Sequence, residues 1–449
     1  MRTRSVAALL SAVLTVAAVP GAQPFAPYQD DANPAQWVDD KTIFQALEAD
    51  ERFSRVYKLV NFSDEVTSIL NDSSQSVTFF APPDRALKPP KRHGKHKHHR
   101  NTEFDAVGVE AFFSSDVTDT ADELELFAAL EGFVSDQLLD VNDDDHDDKE
   151  RKKKIIKAIV TAVLKYHILP AELPAHDLAK NTTYPTALTL HDGSFDGEPL
   201  RLRVAQPPRL VKPTLTLNFY ANVVFADVKT KNGLIHVVNH PLFPPPSIFT
   251  TLFAFSDHFS TLTSAIQRVN FTDAIDWHWV KESKTLEGNP ALTLFAPTNA
   301  AFHRLPRRLK FFLFSPFGQR ALKKILAFHT VPEFVLHTTP KPVWSVNITL
   351  PTLLENHTLA VHVAQFHAIL PHKKYSTVLF VNGLPAVAAD VPARNGAVHV
   401  VSKLISPRKH HHHKHDAEAF VRDPAEAEAQ NDKDWEEWEE WLPAWAAED

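Results

Sequence analysis

Twenty-five histidines and no cysteine set the chemistry open to this chain. Without thiols there is no disulfide framework, no thiolate metal site and no cysteine nucleophile. Nine histidines lie in basic tracts: His93, His96, His98 and His99, then His410, His411, His412, His413 and His415. Clustered imidazoles can hold Zn, Cu or Ni. The flanking Lys and Arg repel a cation, so a solvated polycation competes with a metal site, as does a pH-dependent attraction to anionic glycans. Four more histidines, His167, His236, His329 and His399, sit inside apolar runs. Such a ring is a ligand, a proton switch or a core group bonded to backbone, and the core reading is favoured. Asp140 to Arg151 has calcium-loop spacing at Asp140, Asn142 and Asp144 but lacks the required Gly and final Glu, which rejects it. No G-x-S-x-G, H-E-x-x-H, P-loop or G-x-G-x-x-G is present. The chain reads as non-enzymatic and without a cofactor.

The elements that position these residues occur twice. Ile43-Phe44 returns as Ile248-Phe249, and Val60 to Asp64 (VNFSD) as Val269 to Asp273 (VNFTD). Phe80-Ala81-Pro82-Pro83-Asp84 matches Phe295-Ala296-Pro297-Thr298-Asn299. Leu164 to Pro170 (LKYHILP) matches Leu326 to Pro332 (LAFHTVP), and Asn232 to Val238 (NGLIHVV) matches Asn395 to Val401 (NGAVHVV). Five matches in one order mean two copies of one domain. Ala81 to Ala296 spans 215 residues but His167 to His329 only 162, a difference of 53 inserted in the first copy. Charge-rich runs at 88–100 and 142–154 bracket that insertion and lack the apolar residues that offset ordering entropy. Between them Leu124, Phe127, Leu130, Phe133 and Leu138 recur at roughly helical spacing.

Periodicity predicts helices over 43–60, 154–166 and 321–328. It predicts strands over 77–80, 188–190, 200–204 and 234–238, with counterparts at 292–295, 359–363 and 398–401. Asn232-Gly233 and Asn395-Gly396 should each form a tight turn at positive φ and launch a strand. Pro244 to Pro246 mark a hinge between the copies. The fold class is therefore α+β.

These boxes resemble the fasciclin (fasciclin I-type) family, whose domain has a Phe-Ala-Pro-Thr-Asn box, a central Tyr-His and an Asn-Gly-x-hydrophobic-His-Val box. The resemblance covers about residues 40–407. It implies two tandem β-wedges or sandwiches with packed helices, and extracellular adhesion rather than catalysis. The first copy departs with Pro83-Asp84 in place of Thr-Asn, the second with Phe328-His329 in place of Tyr-His. The Tyr-His region is linked to receptor binding in some animal relatives, which makes Tyr166, His167, Phe328 and His329 the candidate binding residues. His236, His399, Asn232, Gly233, Asn395 and Gly396 are the candidate structural motif.

The domain expectation is a signal peptide at 1–22, a first domain at 40–243 with a low-complexity insertion at about 88–154, a second at 247–407, and a tail at 408–449. Arg2 and Arg4 precede an apolar run too short to span a bilayer, followed by Pro20, Gly21 and Ala22, the pattern of a cleaved secretory leader. Six Asn-x-Ser/Thr triplets, at Asn61, Asn71, Asn181, Asn270, Asn347 and Asn356, fit glycosylation along that route. The formal net charge is −8, a poor balance for a nucleic-acid protein. The tail carries much of the acid and four of the 8 Trp. Trp435, Trp438, Leu442 and Trp445 share one helical face, for a partner helix or for docking on its own domain, with Pro443 disturbing the helix. The tail's acid argues against attachment to anionic lipid, and no spanning segment or lipid anchor is evident.

The reading is a secreted adhesion protein of the extracellular matrix or cell wall, contacting a surface protein or glycan. The alternative is a metal- or polyanion-binding wall or vacuolar protein using its His tracts.

Overall fold

The computed structural model describes residues 40–87, 147–190, 192–206, 215–280, 285–338, 345–367, 375–408 and 424–448. The expected leader, both His tracts and most of the insertion lie outside them.

Each domain opens on helices started by a hydroxyl. The Thr42 side chain accepts from Gln45 N while the Gln45 amide receives Thr42 N at 3.0 Å, a reciprocal cap that begins α1 (Ile43–Ala49). A 3-10 turn (Glu51–Phe53) leads to α2 (Ser54–Phe62) and α3 (Asp64–Asn71), which turn Val56, Val60, Val66 and Leu70 inward. After β1 (Val77–Ala81) come α4 (Asp147–Tyr166), β2 (Ile168–Leu169), α5 (Ala175–Leu178), β3 (Thr183–Thr189) and β4 (Pro199–Ala205). β5 (Thr216–Leu217), β6 (Ala221–Thr230) and β7 (Gly233–Val238) complete the first domain. α4 starts earlier than its apolar pattern, at Asp147, so the end of the charged run at 142–154 is helical. The Lys- and Arg-rich turns of that helix add no apolar face, which is why periodicity placed its start later.

The second domain repeats the plan. Ser247 caps α6 (Ile248–Ala254), and α7 (Ser256–Arg268) and α8 (Thr272–Ile275) follow. A hairpin, β8 (Trp277–Val280) with β9 (Thr285–Gly288), precedes β10 (Leu292–Pro297). Next stand α9 (Asn299–Arg304), α10 (Arg307–Leu313), a 3-10 turn (Pro316–Gly318), α11 (Gln319–Phe328) and β11 (Thr330–Pro332). β12 (Ser345–Pro351), β13 (Thr358–His367), β14 (Tyr375–Val381), β15 (Leu384–Ala393) and β16 (Gly396–Val401) close it, and the tail forms α12 (Pro424–Glu436) and α13 (Trp438–Ala447).

The two sheets have the same order, β2-β1-β7-β6-β5-β4-β3 and β11-β10-β16-β15-β14-β13-β12. In each, the first long strand pairs in parallel with the last, Phe80 opposite His236 and Phe295 opposite His399. Each domain buries two clusters. One joins the helices to the central strands around Phe79 or Leu294, and the other fills the curl of the sheet around Phe80 or Phe295. This is an α+β wedge. Strands β6, β8, β9, β12, β14 and β15 go beyond the expected set; Asp and Lys in β6, and Pro and Ala in β15, dilute the β-branched pattern.

The expected hinge is packed. Pro244 and Pro245 are buried, and Pro246 O accepts Arg394 N at 2.8 Å. Three prolines in sequence fix φ but say nothing about what covers them.

Candidate functional site

The boxed residues are brackets inside each domain. Gly233 and Gly396 start their strands at φ +139° and +150°, where a Cβ would meet Val77 O at 1.8 Å and Leu292 O at 1.9 Å. Only glycine allows that approach. The preceding Asn is not in the left-handed region expected of a tight Asn-Gly turn. Buried instead, Asn232 receives Ile43 N at 2.8 Å and donates to Leu70 O and Asp72 O at 3.0 and 3.1 Å. Asn395 does the same with Ile248 N at 2.9 Å, Ile275 O at 3.1 Å and Asn289 O at 2.9 Å. Each amide thus ties one helix start to the C-terminal end of another helix, α3 or α8, and Asn395 also reaches the loop at Asn289.

The histidines tie strands to loops. His167 closes α4 with Nδ1 on Val163 O at 2.8 Å, while Nε2 accepts Leu242 N at 2.9 Å. His329 repeats this with Ile325 O at 2.8 Å and Ile405 N at 3.0 Å. His236 Nδ1 accepts Asp227 N at 3.2 Å and its Nε2 faces Leu173 O at 3.0 Å; His399 pairs likewise with Asp390 N at 3.3 Å and Leu336 O at 3.2 Å. An accepting nitrogen on each ring requires the neutral imidazole. Burial agrees, pushing His167 and His329 down to about 4 and lowering His236 and His399 as well.

Tyr166 is fully buried, its hydroxyl donating to Arg201 O at 2.9 Å and receiving Asn218 Nδ2 at 2.7 Å. Phe328 is 3% exposed. The four candidate binding residues therefore lie inside the domains, two in each, and a partner could reach them only by displacing the surrounding core. Among the described residues, no group of three or more His, Asp or Glu side chains could hold a metal. The four boxed rings, His167, His236, His329 and His399, are committed to backbone.

What sequence reasoning missed is the contact between the domains. Asp390, at φ 56°, is buried where β15 meets β4. Its carboxylate accepts from Thr338 N at 3.0 Å, from the Thr338 hydroxyl, and from the Thr182 hydroxyl of the other domain. Burial alone would raise its pKa, but His399 and the two hydroxyls hold it below the ordinary carboxylate value. Arg203 crosses in the other direction, Nε donating to Ala389 O at 3.0 Å with its guanidinium 4.1 Å from the Phe219 ring centre. Phe195 N reaches Pro290 O at 2.8 Å. Beside them His337 has no hydrogen-bond partner on either ring nitrogen, and burial, aided by Arg201, pushes it down to about 3. The available signal was an Asp nine residues before each boxed His, Asp227 and Asp390.

The tail docks on its own second domain. Trp435 is 3% exposed and donates Nε1 to Leu404 O at 2.8 Å, beside Asn431, which brackets Leu404 O and Ser406 N at 3.0 and 2.9 Å. Trp438 stacks on Phe312 with centroids 5.2 Å apart, and Leu442 is fully buried. Lys403 pairs with Asp432 at 2.7 Å, and Arg408 with Glu437 at 2.9 Å. The helix breaks at Glu437, not at Pro443.

The Fasciclin domain family model matches residues 136–244 and 257–407, more than half of the chain. The chain belongs to the fasciclin domain family. It is 27% identical over 188 residues to Stabilin-2 of Rattus norvegicus, covering 39% of this chain and 12% of that protein. It is 30% identical over 152 residues to protein sll1483 of Synechocystis sp., covering 34% of this chain and 69% of that one. A fasciclin-like arabinogalactan protein of Arthroderma benhamiae is 25% identical over 191 residues, 42% of this chain and 37% of that protein. A solved FAS1 domain pair from the insect cell adhesion molecule Fasciclin I aligns over 79% of this chain and 97% of its own at 15% identity, with a TM-score of 0.30. The chain spans only a small part of Stabilin-2. Fasciclin domains are adhesion-type modules, and no helix among the described residues is long and apolar enough to cross a membrane.

Proposed function

We infer that this is a secreted, glycosylated, non-enzymatic protein that binds matrix or cell-wall material through a fixed pair of fasciclin domains. The observation that carries this is the spending of the boxed histidines and of Asn232 and Asn395 on internal ties. What such a chain offers a partner is shape and surface. Two modules locked by Asp390 and Arg203 present their outer faces at one spacing, which favours a repetitive or extended ligand by avidity. Asn61, Asn71, Asn270, Asn347 and Asn356 are exposed and Asn181 is half-buried, so all six acceptors are within reach of glycan transfer.

The test is retention of the purified chain by native wall or matrix material at neutral and acidic pH, with Asp390→Ala as a variant that frees the domains. Retention lowered by that change supports a paired surface. Absence of retention in the wild type, or an unprocessed and unglycosylated product, would refute the reading.

A further inference from the structure

The run from 303 to 324 in the second domain (HRLPRRLKFFLFSPFGQRALKK) contains seven Lys and Arg and no Asp or Glu. α10 sends Leu309 and Leu313 into the core, so Arg307, Arg308 and Phe311 share its outer side. Phe311 is 68% exposed, with the Arg307 guanidinium 5.7 Å from its ring centre. The following turn is clamped to α10. Gly318 N bonds Ser315 O at 3.2 Å, the Ser315 hydroxyl bonds Phe312 O at 2.6 Å, and a Cβ on Gly318 would meet Phe312 O at 2.0 Å. That clamp holds Phe317 outward, 88% exposed.

Two rings this bare, on one short ordered stretch, are unusual for a surface that meets only water. They project instead of lining a groove, which disfavours a docked helix. The exposed cations around them (Arg304, Arg307, Arg320 and Lys323) select an anionic counterpart. A sulfated glycan would use the cations but gain little from the rings. A bilayer interface uses both, burying aromatic tips at headgroup depth while Arg and Lys meet lipid phosphate and carboxylate. The tail does border the face: the Glu439 carboxylate lies 3.9 Å from Arg308, and the Glu448 backbone carbonyl accepts from Arg320 at 2.9 Å. They fix the tail along one edge and leave Arg304, Arg307, Phe311 and Phe317 on the other.

We propose that this face of the second domain is a peripheral binding surface for an anionic lipid bilayer, with Phe311 and Phe317 as the inserted side chains. It lies apart from the domain pairing and does not depend on the ligand of the matrix reading.

The full-length protein is sedimented with vesicles of phosphatidylcholine alone and of phosphatidylcholine with about one third phosphatidylserine. Binding is expected to the mixed vesicles only and to weaken with salt. Phe311→Ser with Phe317→Ser should lower that affinity by about tenfold or more. Arg304→Gln and Arg307→Gln should each lower it by about fivefold. All four side chains are exposed, so the melting temperature should not move, and an unchanged value certifies each variant. Failure to bind the mixed vesicles overturns the proposal, as does equal binding by the double Phe variant. Heparin retention lost on charge removal but indifferent to the Phe changes, without vesicle binding, would identify a glycan surface instead.

Discussion

Asp227 and Asp390 occupy the same place in their domains. Both sit at positive φ, both offer a backbone N–H to the boxed histidine of the next strand, and both accept a backbone N–H, from Ala175 and from Thr338. Asp227 is exposed; Asp390 is sealed against the other domain. A second contrast has the same form. Trp435 covers Leu404, whose counterpart Pro241 borders a shallow, largely apolar cleft with Val56, Leu59 and Leu87. The internal ties were duplicated faithfully, while the outer faces diverged. Where a copy is covered, its surface residues become core; where it is open, the same residue types remain surface.

Acid separates the domains most. His167 and His329 are held near 4 and His337 near 3, each below the ordinary 6.5. Depressed values mean the unfolded chain takes up protons first. The stability of the neutral rings is full above about pH 6.5 and is lost progressively as pH falls toward 4, about 3 kcal/mol per ring. The second domain carries two of the three rings, so it should melt first in calorimetry across that window. His337→Leu should flatten its pH dependence, and a steeper loss in the first domain would reverse this ordering.

At neutral pH, Asp390→Ala removes a buried charge from facing hydroxyls and should cost about 3–5 kcal/mol. Asp227→Ala, at an exposed site, should cost less than about 1 kcal/mol. Calorimetry should also show one transition in the wild type resolving into two for Asp390→Ala. Equal costs would mean that the domains do not lean on this contact.

Trp435→Ala leaves the second domain with an opening like that of the first and should cost about 3 kcal/mol there. Hydrogen exchange should rise around Leu404 and stay unchanged around Pro241. The smallest difference between the copies is expected at the boxed pair. His236→Ala and His399→Ala should each cost about 1–3 kcal/mol, by similar amounts, because their bonds match. Thermal melts of the full chain test that equality, and a clear excess at His399 would show that the interface amplifies it.

Much of the interior was legible in the sequence. The repeated boxes carried the order of elements because they recur in one order, and a polar ring within an apolar run pointed to a core histidine. The hydroxyl caps of Thr42 and Ser247 and the close backbone approach at Gly233 and Gly396 emerge only in the fold. The outside was less so. Asp390 and Asp227 look alike as letters, and only the approach of β4 with Arg203 distinguishes them. The Trp face of the tail was visible, but its acceptor was not, since Lys403 and Arg408 become a dock only when folded beside α12. The Asn-Gly pair signals a turn, while the buried amide of Asn232 depends on the end of α3, 160 and more residues away.

The parallel pairing of β1 with β7, and of β10 with β16, sets when each domain can commit to its structure. The centre of each sheet needs a strand from near the start of the domain and another from its end. A ribosome must therefore release nearly a whole domain before that domain can close, and the tail emerges after the second domain to seal Leu404. The inserted segment makes the first loop roughly half as long again as the second. Logarithmic scaling makes that extra closure cost only about 0.4 kcal/mol. Nascent chains should thus expose the edge of β1 or β10 for most of synthesis, the interval when chaperones have the most to hold.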